Sequence, residues 1–191
     1  IEAVHILLIN LATDSLPAVA LGVDPASKNI MKHPPVKSGT LFEKGMVVRI
    51  VVHGLFISAA AWAAYLIGTY CFAHDHVQAM TMTFIVLSVS QLAHALNQRS
   101  NTDSIFKYGQ GHNPYLWGAI GVSLVIVALV VFVPPLQGFF NLTNLTWQEW
   151  LVSIALSLFP LLAVEVYKLV GRIVVRQKHR AALRRALHKQ A

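Results

Sequence analysis

The chain has 191 residues, of which 55% are hydrophobic and only 12% are charged, and its mean hydropathy is +0.58. Soluble domains carry roughly 25% charged residues, so a water-soluble fold would have to hide most of this chain in an oversized core. A single cysteine, Cys71, excludes an internal disulfide. Composition therefore excludes a soluble globular domain and a disulfide-stapled secreted scaffold, and it indicates a membrane protein.

The chain starts at Ile1 rather than at a methionine, and no basic segment precedes an apolar core with a small-residue cleavage site. The start therefore resembles neither an initiator nor a signal peptide. We expect the sequence to be a piece of a longer protein.

Five stretches are nearly free of charge and long enough to cross a bilayer as a helix, which takes roughly 20 apolar residues. The fold class that we predict is an all-α, polytopic membrane helix bundle with five transmembrane helices. The membrane domain is predicted to cover 1–171, and a basic cytoplasmic tail to cover 172–191. In chain order the predicted helices are 3–23, 47–72, 77–96, 115–133 and 150–170.

The basic residues lie on one side of this predicted alternation. Lys and Arg are found in the loop 24–49, in the next loop on the same side and in the tail from Arg172, apart from Lys168 near the end of the last span. Short cytoplasmic loops collect Lys and Arg, so the first helix is predicted to run inward and the C-terminus to be cytoplasmic. Because topology explains the net charge of +7, we expect the lipid bilayer as a partner and no nucleic acid.

The first predicted span contains polar residues that are expensive in lipid unless they face protein or a hydrated cavity. Asn10, Thr13 and Asp14 are spaced i, i+3 and i+4, so at helical pitch they are predicted to share one face. Their amide, hydroxyl and carboxylate oxygens are hard ligands, suited to calcium or a similar cation rather than to zinc or copper. The spacing therefore predicts an intramembrane cation site, and burial between helices for packing is the structural alternative.

Two further residues bear on this site. Pro17 has no N–H to donate to the Thr13 carbonyl, which leaves that oxygen free for an ion or water, or unwinds the helix locally. A calcium ion takes six to eight oxygens, so the remaining ligands must come from elsewhere. Gln91, in the middle of the third span, is the best candidate in this chain, and an interhelical hydrogen bond is an equally good interpretation of its amide.

Several segments of the chain resemble one family, the P-type calcium pumps. Residues 10–18, 20–22 and 29–35 are similar to the family's sixth transmembrane helix and the loop that follows it. Residues 95–97 resemble its eighth helix, and 160–162 with the positions just after them resemble its tenth. The resemblance covers essentially the whole chain and implies that it is helices six to ten of such a pump, in a bacterial plasma membrane.

The resemblance also implies roles for individual residues. Asn10 and Asp14 match ion ligands of the sixth helix, and Thr13 matches a hydroxyl that serves the first of two calcium sites. Asn10 favours calcium, because sodium and potassium pumps carry an aspartate there. Gln91 stands where two-site pumps place a glutamate, which implies a single transported ion, and Ser15 stands where a glycine is common.

The function implied is part of an ATP-driven calcium-transporting ATPase that contributes half of the intramembrane cation site, with Ca²⁺ as the transported ion. The chain contains no Asp-Lys-Thr-Gly-Thr phosphorylation sequence and no nucleotide-binding domain. We therefore expect no catalytic residue in it, Mg²⁺ and ATP bound outside it, and the remainder of the same polypeptide as its partner. The alternatives are an ion channel or secondary cation transporter that uses the same Asn10 and Asp14, a non-transporting membrane scaffold, or a pump for manganese or sodium.

Overall fold

A computed structural model of the chain describes residues 1–24, 45–72, 75–99, 105 and 113–188, with side chains up to residue 174. These ranges contain helices and no β-strand. Five of the helices are long and apolar enough to cross a membrane. The prediction of an all-α bundle with five such helices is therefore confirmed.

The helices of the described ranges follow one another along the chain, with a short helix between the fourth and fifth membrane-crossing ones. They are α1 (Ala3–Gly22), α2 (Met46–Phe72), α3 (His76–Gln98), α4 (Pro114–Phe132), α5 (Pro134–Phe139) and α6 (Trp147–His188).

The last helix is much longer than the predicted span 150–170. Only Trp147–Val174 is long and apolar enough to cross a membrane, but the backbone remains helical to His188 without a break. The predicted tail is rich in Ala, Leu, Arg and Lys, which are good helix formers. The change from apolar to basic composition near Arg172 is therefore not a boundary of secondary structure.

Side-chain caps fix where three of the helices begin. The Asp75 carboxylate accepts a hydrogen bond from the N–H two residues on at 3.1 Å, and the Asn113 amide oxygen accepts one from the N–H three residues on at 3.0 Å. At the start of α6, the backbone N–H of Thr146 donates to the Glu149 carboxylate at 2.6 Å. Such caps satisfy backbone donors that a helix leaves free at its N-terminus.

Helix α3 lies at the centre of the bundle. Of its apolar window 67% is buried, against 33% or less in the other four spans, and it packs against α1, α2, α4 and α6. Two of its buried serines are bonded within the bundle: Ser88 donates to a carbonyl of its own helix, and Ser90 donates to the Ser157 carbonyl of α6. The other spans are thus arranged around α3, and α1 lies along one of its sides.

The N-terminal end of α1 is fastened to the segment that follows α5. The Glu2 N–H donates to His5 Nδ1 at 3.0 Å, so the proton of the neutral ring is on Nε2, which donates to the Phe140 carbonyl. The Asn141 amide donates to the Glu2 carboxylate at 2.9 Å. His5 is fully buried, and Phe140 is buried within the same apolar cluster as Ile9. This loop therefore belongs to the bundle and fixes one end of α1.

The opposite end of α1 is held by charged and amide groups. The Arg99 guanidinium forms an ion pair with the Asp24 carboxylate at 3.0 Å. The Asn113 side-chain amide donates both to Asp24 at 2.9 Å and to the Ala20 carbonyl at 3.0 Å. The start of α4 and the end of α3 thus hold α1 at its predicted cytoplasmic end.

Gly68 allows α2 and α3 to approach closely. A Cβ at this position would lie 2.7 Å from the Ala79 Cα and 3.0 Å from its Cβ. The nearest atom is backbone, so it cannot move aside as a flexible side chain would. The contact therefore requires glycine.

We expect Gly68→Ala to destabilise the complete protein by about 1–3 kcal/mol, the usual effect of overpacking a close contact. Gly118→Ala is the matched control, because a Cβ at Gly118 meets nothing within 4 Å among the described residues. Thermal unfolding of the detergent-solubilised protein measures both variants. Equal unfolding temperatures for the two would contradict the close approach.

Candidate cation site

Helix α1 changes its hydrogen-bond register in the middle. It is α-helical over Ala3–Leu8, π-helical over Ile9–Asp14 and α-helical again over Ser15–Gly22. A π-helix uses i→i+5 hydrogen bonds, is rare, and occurs mostly at functional sites. All three polar residues of the predicted site, Asn10, Thr13 and Asp14, lie in this segment.

The predicted local unwinding before Pro17 takes the form of a widened turn. The helix stays continuous from Ala3 to Gly22, and Pro17 is buried within its second α-helical part. A proline removes one N–H from the helix ladder, which disturbs the preceding turn. Here the disturbance is absorbed by a change of register instead of an unwound segment.

Three hydroxyl groups donate to carbonyls of the π-helical segment. Thr13 Oγ1 donates to the Ile9 carbonyl at 2.6 Å, and Ser15 Oγ donates to the Asn10 carbonyl at 2.9 Å. The third donor comes from another helix, since Ser123 Oγ of α4 donates to the Ala12 carbonyl at 2.5 Å. Sequence analysis missed Ser123, although it is a polar residue in an otherwise apolar stretch of α4.

The three polar side chains of the segment do not share one face. Thr13 is buried at 1% exposure, whereas Asn10 and Asp14 are exposed on the surface of the described bundle. The predicted common face is therefore wrong for Thr13. A turn with i→i+5 bonding contains more residues than an α-helical turn. Thr13, three residues after Asn10, therefore no longer lies over Asn10, whereas Asp14, four residues after it, still does.

Thr13 and Gln91 meet between α1 and α3. The Thr13 hydroxyl lies 3.2 Å from the Gln91 side-chain oxygen, so its single proton, which donates to the Ile9 carbonyl at 2.6 Å, is shared with that oxygen. Gln91 is half-buried. Of the two interpretations of Gln91, this contact is the interhelical hydrogen bond. The contact also places the Thr13 hydroxyl oxygen and the Gln91 side-chain oxygen together on the buried side of the π-helical segment.

Among the described residues, no cationic side chain pairs with the Asp14 carboxylate. Within the described ranges, the Asp14 carboxylate and the Asn10 amide form no hydrogen bond or ion pair, and no group of three or more His, Cys, Asp or Glu side chains is placed to hold a metal ion. A carboxylate and an amide provide hard oxygen donors, too few for the six to eight that calcium takes. Within the described ranges, Asn10 and Asp14 are therefore exposed oxygen donors that the rest of the bundle does not engage.

The sequence matches the family model described as cation transporting ATPase, C-terminus, over residues 1–170. The chain belongs to this family. It is 33% identical over 187 residues to calcium-transporting ATPase 1 of Bacillus cereus, a match that covers 90% of this chain and 21% of that protein. It is also 33% identical over 177 residues to the calcium-transporting ATPase of Bacillus subtilis, covering 92% of this chain and 19% of that protein.

The chain thus spans about a fifth of the length of these curated relatives. The expected resemblance to P-type cation pumps is confirmed, and with five helices able to cross a membrane this member of the cation-transporting ATPase family is a multi-pass integral membrane protein. The similar segment at 29–35 lies outside the described residues.

Two of the segments that carried the resemblance meet in the structure. The Asn97 side-chain amide of α3 donates to the Leu161 carbonyl of α6, beside Pro160, at 3.2 Å. In return, the Lys168 ammonium donates to the Asn97 carbonyl at 2.8 Å and lies 3.6 Å from the Glu165 carboxylate. These polar residues hold α3 and α6 together and are separate from the candidate cation site.

We expect Thr13→Val, which keeps the side-chain shape but removes the hydroxyl, to destabilise the complete protein by about 1 kcal/mol. Interhelical hydrogen bonds in membranes average about 0.6 kcal/mol and reach about 1.7, and the bond to the Ile9 carbonyl is lost as well. Thr13→Ser keeps both bonds and is the control in thermal unfolding of the solubilised protein. A valine variant as stable as the serine variant would show that the contact with Gln91 contributes nothing.

Proposed function

We propose that this chain is the C-terminal membrane part of an ATP-driven P-type calcium pump of a bacterial plasma membrane. In this proposal it contributes half of the intramembrane cation site. The observation that carries the proposal is the placement of Asn10 and Asp14 together on the exposed side of a π-helical turn in the middle of α1. Membership of the cation-transporting ATPase family and the names of two relatives support it.

Asp14 supplies the charge of the proposed site. A carboxylate at membrane depth is costly unless it faces protein or a polar cavity and is compensated, and within the described ranges no cationic side chain compensates it. A bound cation does so in the loaded state. The Asn10 amide oxygen adds a second hard donor, and both groups favour calcium over zinc or copper.

Thr13 and Gln91 belong to the same proposed site from the buried side. The Thr13 hydroxyl, already donating, has lone pairs left on its oxygen, and Gln91 brings an uncharged amide. With Asp14 as its one carboxylate, this four-residue set brings a single negative charge, which suits one divalent cation whose remaining ligands come from outside the chain.

The remaining ligands and the chemistry are proposed to lie in the rest of the same polypeptide. The curated relatives are about five times as long as this chain. In this proposal ATP and Mg²⁺ bind in that remainder, and the present chain alone is not catalytic. The chain's own contribution is to orient Asn10 and Asp14 on the exposed side of α1, where the rest of the polypeptide completes the site.

The test is Asp14→Asn in the complete pump, with calcium-dependent phosphorylation by ATP as the readout. Loss of an interaction with a charged group, about 1.5–3 kcal/mol, corresponds to a rise of roughly tenfold to a hundredfold in the calcium concentration for half-maximal phosphorylation. Asp75→Asn is the matched control, because Asp75 only caps α3 and asparagine caps equally well. An unchanged calcium dependence in Asp14→Asn would contradict the ligand role.

The same assay decides which ion is carried. Hard oxygen donors admit manganese as well as calcium. We expect calcium to stimulate phosphorylation at lower concentration than manganese does. The reverse order would make this a manganese pump with the same ligands, and phosphorylation that needs neither cation would overturn the choice of substrate.

A further inference from the structure

Ser123 stands out in α4 because nothing in its own helix requires a polar residue there. From Leu116 to Phe132 the other residues of the helix are apolar or glycine. Ser123 is nevertheless fully buried, and its hydroxyl crosses to α1, where it donates to the Ala12 carbonyl. The hydroxyl therefore serves α1 and not α4.

The carbonyl that Ser123 bonds lies in the π-helical segment, since Ala12 is within Ile9–Asp14. Pro17, which has no N–H, follows in the second α-helical part of the same helix. A carbonyl left unpaired in the interior of a membrane protein is strongly unfavourable, because no water is available to bond it. Ser123 supplies a donor to this turn from outside α1.

Of the three hydroxyls at the π-helical segment, Ser123 alone comes from another helix. Thr13 donates to the carbonyl four residues before it and Ser15 to the carbonyl five residues before it. Both of these bonds lie within α1 and do not connect it to another helix. The bond from Ser123 instead ties the widened turn to α4 and fixes it within the bundle.

We propose that Ser123 is a positioning residue of the cation site. By bonding the Ala12 carbonyl from α4, it holds the π-helical turn, and the turn keeps Asn10 and Asp14 together on the exposed side. The inference rests on the proposed function, since it assigns Ser123 to the site that Asn10 and Asp14 form. Ser123 itself does not touch the cation.

The first experiment is Ser123→Ala in the complete pump, with the calcium dependence of phosphorylation by ATP as the readout. Loss of one neutral hydrogen bond that is used for positioning predicts a rise of roughly threefold to tenfold in the half-maximal calcium concentration. The maximal level of phosphorylation is expected to stay near that of the unmodified pump. Ser88→Ala is the matched control, because Ser88 is equally buried and bonds only a carbonyl of its own helix, that of Phe84 at 2.8 Å.

A second variant keeps the test decisive if the alanine protein does not fold. Ser123→Cys preserves the shape of the side chain and retains a weak donor, so we expect a smaller shift in the same direction. A calcium dependence identical to that of the unmodified pump in every folded Ser123 variant would overturn the inference. So would a fall in folded protein or maximal phosphorylation without a shift in calcium dependence, since that result describes a packing residue.

Failure of the proposed function gives a different result. If Asp14→Asn leaves the calcium dependence unchanged, the cation site is not at α1, and the positioning role falls with it. If Asp14→Asn shifts the calcium dependence and the Ser123 variants do not, the proposed function stands and the inference alone is wrong.

Discussion

The hydrogen-bond register of Ile9–Asp14 is the constraint on which the candidate site depends. A change from i→i+4 to i→i+5 bonding redirects the side chains of the segment, and Pro17, which has no N–H, follows it three residues later. In lipid, backbone groups must be bonded within the protein. Among the described residues, hydroxyls of α1 and α4 bond carbonyls of the widened turn and so stabilise it within the membrane.

The two ends of α1 are fixed by different chemistry. At the Ala3 end, the buried His5 ring and the Asn141 amide link the helix to the segment after α5. At the Gly22 end, an ion pair and a buried asparagine link it to α3 and α4. With both ends held, the helix cannot relieve a local mismatch by sliding or by turning as a rigid body. The mismatch introduced by Pro17 is accommodated in the middle, where the polar residues lie.

A feature of this fold could be predicted from the sequence when its physical cause lies in contiguous residues, and not when it depends on which helices are neighbours. A span needs about 20 residues without charge, a property of contiguous sequence, so the five helices were predictable. The C-terminal extent of α6 was not, because the change to basic residues after Gly171 ends the apolar stretch without removing helix propensity. Ser123 was missed because its partner lies 111 residues away, and no local pattern reports which helices are neighbours. The common face of Asn10, Thr13 and Asp14 was inferred from the regular α-helical period, which this segment does not follow.

Because the segment does not follow the α-helical period, Thr13 lies apart from Asn10 and Asp14. A regular helix would place the three side chains on one face. With i, i+3 and i+4 on one face, the Thr13 hydroxyl would lie beside the Asp14 carboxylate, where it could bond either that carboxylate or Gln91. In the π-helical turn Thr13 faces α3, where it meets Gln91 on the buried side of the proposed site, while Asn10 and Asp14 are exposed away from it. A ligand that is not engaged by its own bundle is available to a cation. Thr13 and Gln91 can therefore hold α1 against α3 without engaging the Asp14 carboxylate.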